Sequence, residues 1–333
     1  MRLWTTILSQ AWEITRQRRA LWRFGFLAAL LGSPLLLNAF QAPPLSGDYL
    51  RNTPPRALTM TGWQPPTLWL KVFTALSPHT ATSMAEAMAV STLALMLAFY
   101  GLSVVGKAAL LHSVAPHHRS APLHPSALWS ESRQFFWRLF LFPLPATLAF
   151  GLAAVGAGVL VGLVAWLAGL VAVVVAVPLF GALVLLAWLL HIYVELGSSA
   201  IVLENRTFRQ ALVQGWKAWK ARFWQVVMVA LVLSIIQWVI ATVLFYLGSI
   251  LMLVLATLLQ MWKATLIPWF VAHPFVLAAA SVGLMLSGKL ALAAVLAPVT
   301  TFVLVSWGLL YQALVTPEAP SPASPSQALP STP

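Results

Sequence analysis

Between Leu139 and Val194 this chain carries no Asp, Glu, Lys or Arg. Wound as one α-helix, that stretch would be about 84 Å long at 1.5 Å per residue. The hydrocarbon core of a bilayer is only about 30 Å thick, so the stretch must turn back on itself. The glycines at 162–169 are the expected turn, and the run reads as a hairpin of two membrane spans. A second charge-free run, Phe223 to Trp262, is also too long for one crossing, and Gly248 is its expected break. The chain is 60% hydrophobic and 8% charged, with mean hydropathy +0.87. A water-soluble domain is about a quarter charged, so a solvated surface cannot be built from this pool. The predicted fold class is all-α: a polytopic transmembrane helical bundle of about six spans in three hairpins, with basic amphipathic interfacial helices.

The expected spans are 21–40, 84–111, two within 139–194, one starting at Phe223, and 290–315. Residues 41–83 read as a loop, with turn signals at Pro43-Pro44, Pro54-Pro55 and Pro65-Pro66 and a short interfacial piece at 69–76. The polar N-terminal stretch, with Arg2, Arg16, Arg18, Arg19 and Arg23, exceeds the length of a signal-peptide n-region, and no small-x-small site follows its apolar segment. The first apolar helix is therefore expected to stay as a span. Residues 1–316 form one integral membrane domain. Residues 317–333, with six prolines and four serines, form a disordered cytoplasmic tail.

Two readings stand for 248–287. Pro268 and Pro274 either break the chain into an interfacial excursion or separate two extra crossings, for eight spans. Lys289 marks a boundary, because a Lys at mid-bilayer costs about 3 kcal/mol against about 0.5 gained per Leu or Val.

The net charge is +12, from 19 Lys and Arg against 7 Asp and Glu. These cations flank apolar spans rather than line a soluble face, which points to anionic membrane lipid and not to nucleic acid. With six spans, one side receives Arg2, Arg16, Arg18, Arg19, Arg23, Arg119, Arg133, Arg138, Arg206, Arg209, Lys217, Lys220 and Arg222. The other receives Arg51, Arg56, Lys71, Lys263 and Lys289. The positive-inside rule then makes both termini cytoplasmic, and eight spans would do the same.

Glu204 to Trp224, ENRTFRQALVQGWKAWKARFW, is the most informative segment for family and orientation. Phe208, Leu212, Trp216, Trp219 and Phe223 make one stripe of a 3.6-residue helix, with Arg209, Lys217 and Lys220 mostly off it. Thr207 and Gln210 match a capping box. Such a helix lies in the interface, aromatics in lipid and cations at headgroups. Comparable lead-ins precede the first span (Arg19, Trp22, Arg23) and the third (Arg133, Trp137, Arg138). Three copies of an interfacial helix plus a hairpin are one reading; the ordinary aromatic belt and flanking cations of membrane helices are the other. The candidate headgroup contacts are Arg209, Lys217, Lys220, Arg222, Arg133, Arg138, Arg19 and Arg23. Trp216, Trp219, Trp224, Trp137 and Trp22 are the interfacial anchors.

The run AIVLENRTFRQALVQGWKAWKARFWQVVMVALVL resembles uncharacterised six-span bacterial membrane families, among them the membrane domain attached to some glycerophosphodiester phosphodiesterases and the YciC-like proteins. In those families a Glu, a short turn and an aromatic-basic helix precede the fifth span; the matching positions are Glu204, Asn205 to Thr207, and Trp216 to Trp224. The opening AWEITRQRRALWRFGFLAALLG and the ending SWGLLYQALV resemble the family's first and last spans. Region 248–287 is longer than that pattern. The resemblance implies a bacterial plasma (inner) membrane protein without an established activity.

The phosphodiesterase chemistry itself needs metal-binding carboxylates and acid–base histidines on a barrel of about 250 residues, which this chain does not contain. No catalytic constellation, metal site or cofactor is implied. The absence of cysteine excludes disulfides and thiolate chemistry. His112, His117, His118 and His124 lack an accompanying carboxylate or cysteine in sequence and read as a solvated loop. His191 and Glu195 share one helix face and read as a structural pair tying the fourth span to the basic helix. Lys107 can snorkel to the interface, and Glu86 opens the second span. Gly151, Gly156, Gly158 and Gly162 are expected to allow close helix contact. The PxxP matches in the tail read as linker. The leading functional reading is a non-enzymatic membrane protein that binds anionic lipid headgroups and organises membrane or partner proteins. The alternative is a transporter or permease subunit for apolar or lipid cargo; a membrane-embedded enzyme ranks third. Protein partners and oligomeric state stay open.

Overall fold

A computed structural model of the chain describes residues 3–30, 78–115, 125–169, 171–261 and 273–315. The rest of the predicted first span beyond Leu30, the loop to 77 with its prolines and interfacial piece, His117, His118, Arg119, His124, Lys263, Pro268 and the tail 317–333 lie outside the described residues. All regular structure among the described residues is helical. Five helices there are long and apolar enough to cross a membrane, with windows at Val90–Ser113, Phe136–Leu167, Ala172–Leu203, Phe223–Gly248 and Leu286–Val315. The chain is a multi-pass membrane protein of the all-α class.

In chain order the elements are α1 (Leu3–Gln17), a 3₁₀ turn (Arg19–Leu21), α2 (Trp22–Ala29), α3 (Pro78–Ser113), α4 (Pro125–Arg133), α5 (Phe136–Leu141), α6 (Leu144–Ala168), α7 (Val171–Leu203), α8 (Phe208–Ala221), α9 (Phe223–Met261) and α10 (Pro274–Val315). The predicted hairpin is α6 and α7. Its turn falls at Gly169, whose φ of +55° is open to glycine without a side-chain clash and whose N–H closes on the Ala165 carbonyl. Pro178 and Pro298 sit inside α7 and α10. Proline inside membrane helices is tolerated where neighbouring groups satisfy the freed carbonyl.

Two expectations are corrected. Gly248 is not a break: α9 runs through it as one helix of 39 residues, about 59 Å long at 1.5 Å per residue. An interior glycine costs a helix only about 1 kcal/mol against Ala, and Gly248 lacks the positive φ that a reversal such as Gly169 uses. Lys289 does lie at the start of the last candidate span, Leu286–Val315, as expected, although α10 itself runs from Pro274 to Val315. The Lys289 ammonium lies 5.8 Å from the centroid of the Phe99 ring, a cation–π contact that offsets part of the desolvation. Continuous helices through Gly248 and Lys289 leave no break for two further crossings among the described residues. Pro274 starts α10, the position where a proline's missing N–H is harmless.

The second correction concerns packing. Gly151, Gly156, Gly158 and Gly162 face open space, with nothing within 4 Å of an added Cβ. The close approaches are at Gly197 and Gly215, where α7 crosses α8. A Cβ on Gly215 would stand 3.3 Å from the Gly197 nitrogen, and one on Gly197 would overlap the Phe142 ring.

Contacts divide the chain into two compact units, one of 1–25, 104–232 and 298–333, the other of 26–103 and 233–297. The first unit holds most of the buried side chains, including Leu110, Leu111, Leu128, Phe142, Ile192, Leu196, Ile201, Leu310 and Tyr311. By contrast, Leu148, Leu152, Val155, Trp166, Val174 and Phe180 on the α6–α7 hairpin are all exposed, as lipid-facing residues should be.

Candidate functional site

Within the first unit, α1, the stretch from His112 to Arg138 and the connector after α7 are joined to one another and to α10 by side-chain contacts. Trp12 of α1 packs edge-on against Phe302 of α10, with centroids 6.2 Å apart. His112 Nε2, at the end of α3, lies 2.9 Å from Glu131 Oε2 on α4. Arg138 on α5 donates to the Asn205 side-chain oxygen at 2.8 Å. The Tyr311 hydroxyl of α10 donates to Glu204 Oε1 at 2.6 Å, and the Gln312 amide donates to the Val114 carbonyl at 3.1 Å. The His112–Glu131 contact corrects the view that no carboxylate accompanies His112. Nineteen positions separate them, too far for a local spacing rule to detect.

The connector between α7 and α8 is the hub of these contacts. Asn205 takes a left-handed φ of +52°, a conformation that Asn adopts more readily than other non-glycine residues. Glu204 uses its second oxygen to accept the Arg206 Nε–H at 2.9 Å. That bond and the carboxylate charge raise the Arg206 pKa, so this guanidinium stays charged. Thr207 then caps α8 in an extended conformation, and its backbone N–H donates to Gln210 Oε1 at 3.2 Å, the expected capping box.

α8 turns its small residues inward. Ala211, Gly215 and Ala218 are buried, and the Tyr193 hydroxyl of α7 donates to the Leu212 carbonyl at 2.9 Å. In the aromatic stripe next to them Phe208, Leu212 and Trp219 are half-buried, whereas Trp216 is 46% exposed and Phe223 41%; Trp224, at the start of α9, is 75% exposed. Trp219 stacks on Phe223 at 6.0 Å, and its indole N–H is buried without a partner. Arg209, Lys217 and Lys220 are exposed, and Arg222 is half-buried at the end of the helix. Lys220 lies over the Trp216 ring at 5.0 Å.

The two other lead-ins are flanked by helices that bury a comparable stripe: Ile7, Ala11 and Thr15 in α1, and Leu128 and Ser132 of α4 with Phe135 in the turn before α5. The Trp22 indole donates to the Thr15 carbonyl at 3.0 Å, so this anchor also closes the end of α1. Arg19 and Arg23 are exposed beside it. Arg133 lies 5.7 Å from the Trp129 ring, and Trp137, 68% exposed, packs on Phe136 and Phe140.

His191 stands beside Glu195 at 4.0 Å, but the closer partner of Glu195 is Lys107 of α3, with Nζ 2.8 Å from Oε1. Lys107 therefore does not snorkel outward; the buried carboxylate holds it. The pair ties the second span to the fourth, while Tyr193 makes the link to the basic helix. Among the described residues no group of three or more His, Cys, Asp or Glu is placed to hold a metal. No family model, curated protein or solved structure matches this chain.

Proposed function

We propose that this chain is a non-enzymatic multi-pass protein of a bacterial inner membrane that binds anionic lipid headgroups through α8 and its two companion lead-ins. The observation that carries the reading is on α8. Arg209 and Lys217 are exposed and make no ion pair with any described residue, while Trp216 on the same helix and Trp224 at the start of α9 are exposed too. Exposed indoles beside unneutralised cations suit the boundary between acyl chains and phosphate-bearing headgroups.

Depth arguments agree. α8 crosses α7 at Gly197, and the part of α7 from Ala172 to Ile192 is about 31 Å long at 1.5 Å per residue. That matches roughly 30 Å of hydrocarbon, with α8 lying just beyond it. Both termini are then cytoplasmic, on the cation-rich side. Kinship with the membrane domain attached to glycerophosphodiester phosphodiesterases is part of the proposal and rests on the Glu204, Asn205–Thr207, Trp216–Trp224 pattern.

The test compares the wild-type protein with the variant carrying Arg209→Gln, Lys217→Gln, Lys220→Gln and Arg222→Gln. Both are titrated, in detergent micelles, with phosphatidylglycerol and with phosphatidylcholine added as mixed micelles of the same detergent. The variant should lose its preference for phosphatidylglycerol; equal binding by both proteins at low salt would sink the proposal. Cysteine-accessibility mapping, clean in a chain with no cysteine, tests the orientation. A second reading, a transporter or permease subunit, draws on the ionisable Lys107–Glu195 pair within two spans. Flux or lipid scrambling in proteoliposomes would distinguish it.

A further inference from the structure

α9 carries one exposed apolar stripe that is longer than a bilayer is thick. On the face opposite the buried Val226, Ala230 and Leu233, the stripe runs through Met228, Ile235, Val239, Tyr246, Ile250 and Val254. Their spacings of seven, four, seven, four and four keep them on one side of a 3.6-residue helix. The stripe opens at the exposed Trp224, and it does not fade along the helix: Met228 is 47% exposed and Val254 51%. As far as Tyr246 it lies within the candidate span Phe223–Gly248, where an exposed apolar side chain faces acyl chains.

From Trp224 to Val254 the distance is about 45 Å at 1.5 Å per residue, against about 30 Å of hydrocarbon. The average tilt of membrane helices, about 20°, still leaves about 42 Å, and a tilt of about 40° leaves about 34 Å. Tyr246, about 33 Å from Trp224, stands where an aromatic belt would end an ordinary bilayer. Yet the residues from Leu247 to Met261 include no charge. α10 has a matching uncharged stretch, Pro274 to Gly288, ahead of Lys289.

Three occupants could cover Ile250 and Val254. Water does not suit them, because a contiguous apolar face is costly to leave in water and no ionic side chain in Leu247–Met261 offsets it. A second copy of the chain does not suit them either: membrane helices meet closely through Gly, Ala and Ser, whereas the exposed members of this stripe are bulky or β-branched. Lipid suits them, because the surface is continuous with the one that acyl chains cover between Met228 and Val239.

We infer that α9 is a docking surface for long-chain lipid, gathering phospholipids whose acyl chains extend the hydrocarbon layer beside it past Tyr246 to Val254. A thinner bilayer must stretch, or the helix must tilt, at a cost that grows with each ångström of mismatch; longer chains remove that cost. The inference goes beyond headgroup binding and takes from it only the place of Trp224 at the membrane boundary. Zwitterionic lipid tests it while offering the α8 cations no anionic lipid.

The test uses the full chain, free of cysteine, in nanodiscs of dimyristoleoyl, dioleoyl or dierucoyl phosphatidylcholine. Nitroxide labels are attached at Ile235→Cys, Ile250→Cys and Val254→Cys, one per protein. In dierucoyl discs all three should collide with dissolved oxygen and not with a water-soluble nickel chelate. Nickel access at Ile250→Cys and Val254→Cys alone would put the extension in water and overturn the proposal, leaving the headgroup reading intact. Nickel access at Ile235→Cys as well would remove the boundary at Trp224 and overturn both. Low access to both reagents at the outer two positions would put them under protein, a second copy included, and overturns the proposal too. Brominated forms of the three lipids, which quench tryptophan, then give relative affinities. Wild type should favour dierucoyl over dimyristoleoyl chains about threefold, in the direction that mismatch sets. Ile250→Lys combined with Val254→Lys, which ends the apolar stripe near Tyr246, should erase that preference. Equal affinity in the wild type, a measurement that needs no variant to fold, sinks the inference, as does a preference that survives the double substitution.

Discussion

The Tyr311 hydroxyl stands 2.6 Å from the Glu204 carboxylate, joining the last turns of the final helix to the connector that launches the basic helix 107 positions earlier. Glu204 also holds Arg206, and Arg138 holds Asn205 beside it. Three helices are thus referenced to one short turn, and the orientation of α8 depends on it.

Tyr311→Phe should lower stability, because it leaves a Glu204 oxygen without its donor. Hydrogen bonds to charged groups contribute about 1.5–3 kcal/mol, and the 20% exposure of the Glu204 side chain puts the loss at the lower end. Thermal unfolding in detergent reads the effect. An unchanged midpoint would mean that the connector is held by other contacts.

Lys107 and Glu195 should behave as a coupled pair. Lys107→Met alone strands a buried carboxylate, for which about 3–5 kcal/mol is expected, whereas replacing both by apolar residues is near neutral. Combining Lys107→Met with Glu195→Leu should therefore recover most of the stability lost by the single change. Additive losses in the double-mutant cycle would contradict the buried pairing.

Glycine positions separate packing from lipid exposure. Gly197→Ala should cost about 1–3 kcal/mol, since its methyl would press on the buried Phe142 ring, and Phe142→Leu should restore part of it. Gly156→Ala, which faces open space, should be neutral or stabilising by up to about 1 kcal/mol through helix propensity. Equal responses in urea or thermal unfolding would contradict the crossing of α7 and α8.

Headgroup binding should be strongly salt-dependent. Each surface cation near an anionic membrane contributes about 1 kcal/mol, so Arg209→Gln and Lys217→Gln should each weaken phosphatidylglycerol binding about fivefold. Between about 0.1 M and 1 M salt the screening length falls from about 10 Å to about 3 Å, and the wild-type preference should fade. Binding that ignores salt points to apolar capture instead.

Much of this architecture was legible residue by residue. The charge-free run ending at Val194 forced a hairpin with its turn among the glycines at 162–169, and the reversal falls at Gly169. Thr207 and Gln210 signalled the start of α8 through the capping-box spacing. Such signals are local, and local geometry follows from a few neighbouring side chains. Gly248 misled because a glycine permits a break without requiring one. Gly151 to Gly162 misled because small residues allow close contact only where a partner helix arrives, and that partner came to Gly197 instead.

By itself the sequence determined the class: too few charges for a solvated surface, apolar runs long enough to cross a bilayer, and a basic aromatic helix leading into a span. Those are properties of transfer between water and hydrocarbon, which composition and order along the chain already contain. Tertiary structure decided which polar groups meet. Lys107 finds Glu195 across 88 positions, and Tyr311 finds Glu204 across 107. Neither pairing has a spacing rule, because each depends on how distant helices cross. Burial then makes each contact matter: a carboxylate removed from water must be answered by whatever donor the fold delivers.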